Sequence, residues 1–163
     1  MLPTCCVREL QTAWFPHMTD AGLDRVIDLL EKASPLLISG CFSKAASMGC
    51  LATHIAWQHP QTEHLDIEAG VAWLTRVAGL NPATSQVIRE WDTRGAKDWT
   101  LREDLLRVFL AERKNRARLG DRSEHADETP VPVAGLCTRT QNLDAGRLER
   151  EEKDNKEGRK AGR

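Results

Sequence analysis

The sequence lacks an excess of charge of either sign, because 23 Lys and Arg side chains nearly balance 24 Asp and Glu side chains. The formal net charge of −1 leaves no global field that would draw the whole protein to nucleic acid or to an anionic membrane. A local basic patch is still compatible with this balance. Tyr is absent although Trp occurs five times, a skew for which we have no physical account.

Long apolar runs are also missing. The most apolar stretch, residues 36–57, contains Lys44, His54 and two Gly, which argues against a membrane span. The first residues show no basic region followed by an apolar run, so we expect no secretory signal. The five Cys are odd in number and irregularly spaced, which excludes a regular disulfide framework and favours a reducing, cytoplasmic location.

The sequence carries none of the common enzyme signatures. It has no Gly-rich phosphate loop, no GxSxG elbow, no dinucleotide fingerprint, no HExxH and no paired CxxC. We therefore assign no catalytic residue and expect a small non-catalytic binding or regulatory module. A protein partner is favoured over duplex DNA because the net charge is near zero.

Apolar residues at helical spacing predict an all-α fold, a compact bundle of about five to six short helices. One helix is expected from Asp20 to Ala33, capped by Thr19 and stopped by Pro35. A second is expected from Asp66 to Ala78. Its predicted inward face is formed by Ile67, Val71, Leu74 and Ala78.

Three further helical segments are expected. Residues 34–57 predict two short helices broken near Gly49, with a strand over 36–39 as the alternative if it finds a partner. Asn81-Pro82 opens a helix that reaches Trp91, after a left-handed turn at Gly79. The capping box Thr100-Leu101-Arg102-Glu103 begins the last helix, which Gly120 ends.

These segments suggest three parts of the chain. Residues 1–18 are expected to form an irregular or partly helical lead-in, held to the core by Trp14 and Phe15. Residues 19–120 form the helical domain. Residues 121–163 are rich in charge and poor in large apolar groups, which predicts a disordered tail.

Residues 71–91 resemble a helix-turn-helix, in which a second helix enters the major groove of DNA. Leu74, Gly79 and Ile88 stand where bacterial examples carry packing or turn residues, and Asn81 begins a segment similar to a recognition helix. The pattern departs at Ser85, where an apolar residue is typical. The DNA contacts that this resemblance and the following basic segment imply are Asn81, Thr84, Ser85, Arg89, Arg113, Lys114 and Arg116.

Two alternative interpretations assign chemistry to the middle of the chain. The first is a metal-dependent enzyme, most simply with zinc, whose ligands would be Cys50, His54, His59 and His64. Cys50 and His54 lie four residues apart and would share one face of a helix. The second is a thiol nucleophile, in which His54 would activate Cys50. Each competes with the simpler interpretation of a small buried Cys and a hydrogen-bonded His.

Overall fold

The computed structural model describes residues 1–45 and 47–124, with the backbone alone for residues 121–124. Within these residues the fold is mostly helical, as predicted, with one short β-hairpin that the all-α prediction did not include. The elements, in chain order, are α1 (Thr4–Glu9), α2 (Asp20–Glu31), β1 (Ser43–Ala45), β2 (Met48–Gly49), α3 (Leu51–Ala56), α4 (Ala69–Ala72), α5 (Gln86–Arg94) and α6 (Trp99–Glu124).

Of the irregular or partly helical lead-in predicted for residues 1–18, the structure shows the helical alternative, with Trp14 and Phe15 buried. α1 continues into a π-helical turn, Leu10–Trp14, and then into a 3-10 turn, Phe15–His17. Cys6, Leu10 and Trp14 are four residues apart and buried, so this segment has the inward stripe of a core helix. Its two prolines do not interrupt it, because they lie at the N-cap of α1 and in the 3-10 turn.

The predicted helix that follows is confirmed. α2 spans Asp20–Glu31, and the Thr19 hydroxyl accepts a hydrogen bond from the Gly22 amide at 3.0 Å. Its buried stripe includes Leu23, Val26 and Ile27.

Of the two helices predicted in residues 34–57, the first is wrong and α3 corresponds to the second. The chain after α2 forms turns and bends with one isolated bridge at Leu37, followed by the antiparallel β1–β2 hairpin. The Ile38 amide donates to the Gly49 carbonyl, and the Gly49 amide donates to the Leu36 carbonyl, each at 3.0 Å. The alternative strand over 36–39 thus finds a partner in Gly49, but only as a single bridge at Leu37.

α4 begins at Ala69 rather than at Asp66, and its N-cap, Glu68, makes no side-chain capping bond. It continues into a π-helical turn, Trp73–Val77, in which the Ala78 amide donates to the Trp73 carbonyl at 2.9 Å. A π-turn holds one residue more than an α-turn, so it rotates the side chains before it relative to those after it. This rotation is relevant to the candidate site.

The start of α5 also differs from the prediction. Gly79 has the expected left-handed conformation, with φ of 66°. Residues 82–84 then form a turn closed by the Asn81 carbonyl, which accepts from the Thr84 and Ser85 amides at 3.0 Å. α5 begins only at Gln86 because the Ser85 hydroxyl caps it by accepting from the Ile88 amide.

The prediction that a capping box at Thr100 begins the last helix is wrong as well. α6 starts one residue before it, and the cap is Asp98, whose carboxylate accepts from the Leu101 amide at 2.9 Å. Gly120 does not end α6, which continues to Glu124. The predicted disordered tail otherwise lies outside the described residues.

The core joins the N-terminal segment, α2, α3, α5 and α6. Trp14, Trp73, Trp91 and Phe109 are fully buried. The Trp14 and Trp73 rings meet edge to face with centroids 5.4 Å apart. Trp99, in contrast, is 67% exposed. No helix among the described residues is long and apolar enough to cross a membrane.

Candidate functional site

The residues predicted to contact DNA lie in different elements and differ in exposure. Asn81 and Thr84 belong to the turn before α5, and Ser85 is buried at the N-cap. Arg89 is exposed on α5, but Asp92 is exposed one turn later and Glu90 pairs with Arg94. A helix with this mixture of charges is poorly suited to a polyanion.

A carboxylate from α1 accepts hydrogen bonds from the N-terminal end of α5. Glu9 accepts from the Ser85 hydroxyl at 2.5 Å, from the Gln86 amide at 2.6 Å and from the Trp14 indole at 3.1 Å. A recognition helix presents its N-terminal residues to the bases. Here those amides are already bonded to Glu9, 77 positions earlier in the chain for Gln86.

The basic segment of α6 is partly structural. Arg116 donates to the carbonyls of Phe15 and Met18 and pairs with Asp20 at 2.6 Å. These hydrogen bonds and this ion pair link α6 to the start of α2 and the turn before it. Arg113 lies 3.6 Å from Asp24, while Lys114 is exposed.

The predicted metal ligands are engaged separately. Cys50 and His54 are buried, His59 is half-buried and His64 is exposed. The His59 Nδ1 atom accepts from the Gln61 amide at 3.2 Å. Among the described residues, no three His, Cys, Asp or Glu side chains are arranged to hold a metal ion. The zinc-site prediction is therefore not supported by the geometry.

Cys50 and His54 each bond to other groups of the fold rather than to each other as a nucleophile and its base. The Cys50 Sγ lies 3.5 Å from the Thr53 hydroxyl, and burial raises the pKa of the thiol. The His54 Nε2 donates to the Leu36 carbonyl at 3.0 Å, and burial lowers the pKa of its imidazole. A thiol held neutral in this way is a poor nucleophile.

A groove with exposed aliphatic side chains lies between the β-hairpin and α4 with its π-turn. We call it the Ile67–Val71 groove. Its volume is about 550 Å³. It is lined by Phe42, Ser43, Ile67, Glu68, Val71, Ala72, Thr75 and Arg76.

Two aliphatic side chains of the groove are open to water: Ile67 is 68% exposed and Val71 is 38% exposed. The sequence placed both on an inward face with Leu74 and Ala78, which are indeed buried. Ile67 precedes α4, which begins only at Ala69, and the π-turn that follows α4 changes the helical phase toward Ala78.

Close packing beneath the groove explains why small residues, rather than Ile67 and Val71, face the core. A Cβ added to Gly70 would overlap the Thr53 hydroxyl and lie 3.0 Å from the Phe42 ring. The same hydroxyl donates to the Phe42 carbonyl at 2.6 Å. Gly70 thus lets α4 approach α3 and the hairpin, and Phe42 forms one wall.

The two ends of the groove differ in charge. Glu68 lies at the start of α4, and Arg76 lies in the π-turn eight positions later. Only the folded chain brings Glu68 and Arg76 beside Phe42.

Other depressions on the described surface are less apolar or smaller. One of about 450 Å³ lies between the N-terminal segment and α6, and Glu112, Asn115 and Arg116 line it. Arg116 and Glu112 already bond to each other there, at 2.9 Å. An adjacent one, lined by Val7 and Val108, has about 270 Å³.

Comparisons with protein-family models, with curated proteins and with solved structures gave no match to this chain.

Proposed function

We propose that this protein is a non-catalytic helical module that binds a short apolar segment of a protein partner in the Ile67–Val71 groove. The observation that carries the proposal is the exposure of Ile67, 68%, together with that of Val71, 38%, in one concave surface. Burial of these side chains against a partner removes apolar surface from water, which is favourable.

The dimensions and lining of the groove suit this role. Its volume of about 550 Å³ lies within the range of ligand sites, and its lining combines aliphatic, aromatic and charged groups. Such a surface accepts one or two anchoring side chains and leaves polar groups at the rim.

A protein partner fits the charges better than duplex DNA does. Arg116 and Arg113 of the basic segment are paired with carboxylates, and Glu9 covers the N-terminal end of α5. Duplex DNA requires several unpaired cations on one face to displace its counterions.

A selection from a library of random displayed peptides, panned against the full chain, tests the proposal. We expect binders that share one or two large apolar residues. Ile67→Asp should weaken their affinity by about tenfold or more, because it places a carboxylate where the anchor packs. Fluorescence polarisation with labelled peptides measures this change.

Leu119→Asp is the matched control, since Leu119 is 66% exposed on α6 and lies outside the groove. It removes a similar exposed aliphatic group and should leave peptide affinity unchanged. A library that yields no binder, or binders that Ile67→Asp and Leu119→Asp affect equally, contradicts the proposal.

A further inference from the structure

A second depression, of about 340 Å³, adjoins the Ile67–Val71 groove. We call it the basic pocket. Its polar lining consists of His17, Thr19, His59, Gln61 and Arg76, and its lining includes no Asp or Glu. Among the surface depressions described, it has the largest number of Arg and His side chains. Its lining is also the one without a carboxylate.

Arg76 connects the two surfaces, because it lines both the groove and the basic pocket. Its side chain is exposed, and no carboxylate of the described residues lies within ion-pair distance of it. A chain segment that leaves the groove past Arg76 would enter the basic pocket.

Each of the two imidazoles has one ring nitrogen bonded within the chain. The His59 Nδ1 accepts from the Gln61 amide, so its proton is on Nε2 and that atom is a donor. The His17 Nδ1 donates to the Ala13 carbonyl at 2.9 Å, so His17 lines the pocket with its Nδ1 already bonded within the chain. The Arg76 guanidinium and the His59 Nε2 therefore supply donors suited to a carboxylate.

We infer that the partner segment carries an Asp or Glu side chain next to its apolar anchor, and that this carboxylate binds in the basic pocket against Arg76 and His59. The inference rests on the proposed function and specifies the chemistry of its partner. Charge complementarity decides between acidic and basic segments, because Arg76 stands between the two surfaces without a counterion among the described residues.

Neighbouring carboxylates do not cancel this preference. Asp20 follows Thr19 but pairs with Arg116 at 2.6 Å. Glu68 lines the groove but not the basic pocket. A bound segment therefore meets positive charge at the Arg76 end and negative charge only near Glu68.

The peptides selected against the full chain test the inference. We expect Asp and Glu to be enriched on one side of the apolar anchor, and Lys and Arg to be depleted there. Replacing the acidic residue by Gln should weaken binding about two- to fivefold, the effect of one partly exposed charge pair. The same selection against Arg76→Glu should enrich Lys and Arg instead.

Arg89→Glu is the control, because Arg89 is an exposed arginine on α5 outside both surfaces. It should keep the acidic preference of the unmodified protein. Peptides that depend on Ile67 but show no acidic enrichment overturn this inference and leave the proposed function standing. A library without binders overturns both.

A direct titration gives a second readout that does not use the groove. The dipeptide acetyl-Glu-Glu-amide, at millimolar concentration, should shift the ring-proton NMR signals of His17 and His59 in the unmodified protein and in Ile67→Asp. Arg76→Gln should reduce the affinity about two- to fivefold. Signals that do not move, or that move equally in Arg76→Gln, overturn the basic pocket as a carboxylate site.

Discussion

Glu9 and Ser85 are 76 positions apart in the chain and share a hydrogen bond of 2.5 Å, which the Ser85 hydroxyl donates. The same carboxylate accepts from the Gln86 amide, while the Ser85 oxygen accepts from the Ile88 amide. The first turn of α5 is thus capped jointly by its own serine and by a residue of α1. Negative charge at this position also complements the helix dipole.

The Glu9 contact predicts a marked loss of stability in Glu9→Gln. The amide cannot accept from all of these donors and carries no charge, so the free energy of unfolding should fall by about 1–3 kcal/mol. Urea denaturation followed by circular dichroism measures the loss.

Glu103→Gln is the control, since Glu103 is exposed on α6 and should change stability by less than about 0.5 kcal/mol. Ser85→Ala should also destabilise, and the double variant should lose less than the sum of the two because both act on one cap. Equal stability of Glu9→Gln and Glu103→Gln would show that the cap contributes nothing.

The close packing around Gly70 predicts that an added side chain beneath the groove destabilises the fold. An added Cβ would overlap the Thr53 hydroxyl and crowd the Phe42 ring, so Gly70→Ala should lower the free energy of unfolding by about 1–3 kcal/mol. Thermal or urea unfolding checks this value.

The effect of Gly70→Ala should be smaller when Thr53 is replaced by Ala, because the hydroxyl that the Cβ meets is then gone. A double-mutant cycle isolates this coupling. If Gly70→Ala is neutral in both backgrounds, the close approach of α3 and α4 is not required.

His54 predicts that stability falls in acid. Burial lowers the pKa of this imidazole from its ordinary value of 6.5, so the folded chain binds fewer protons than the unfolded chain as the pH drops. The free energy of unfolding therefore rises with pH in this window, and the contribution of His54 is lost below about pH 6.5. Urea unfolding at about pH 7.5 and about pH 5.5 measures the difference.

His54→Gln should flatten this dependence, since Gln does not titrate and its amide can still donate to the Leu36 carbonyl. His64→Gln, at an exposed position, should leave the dependence as it is. An unchanged acid dependence in His54→Gln would assign it to other groups.

The charges around α5 predict weak interaction with DNA. Titration of labelled duplex DNA at low salt should give no specific complex, and Arg89→Ala or Thr84→Ala should have little effect. A salt-dependent complex that either substitution weakens would instead support the helix-turn-helix interpretation.

Local patterns predicted some elements and not others. α2 was predictable because its apolar stripe and its Thr19 cap are all local. The β-hairpin was not, since its residue Gly49 also bonds to Leu36 and Ile38, which lie outside the hairpin and more than ten positions earlier. Long-range pairing of this kind leaves little trace in a window of sequence.

The candidate site was mispredicted for a similar reason. Ile67 and Val71 fit a helical stripe with Leu74, but the helix begins only at Ala69 and continues into a π-turn after Ala72. The closure of the N-terminal end of α5 depends on Glu9, which no local motif connects to Ser85. The zinc prediction combined residues by local spacing alone, and among the described residues no three His, Cys, Asp or Glu side chains are arranged to hold a metal ion.

The central claim is that a partner segment binds between the hairpin and α4. Amide chemical-shift mapping of the isotope-labelled full chain with a selected peptide tests it most directly. The account predicts that the largest shifts fall on Ser43, Ile67, Val71 and Arg76. Shifts confined to α5 around Arg89, or to α6, with those four amides unmoved, would contradict it.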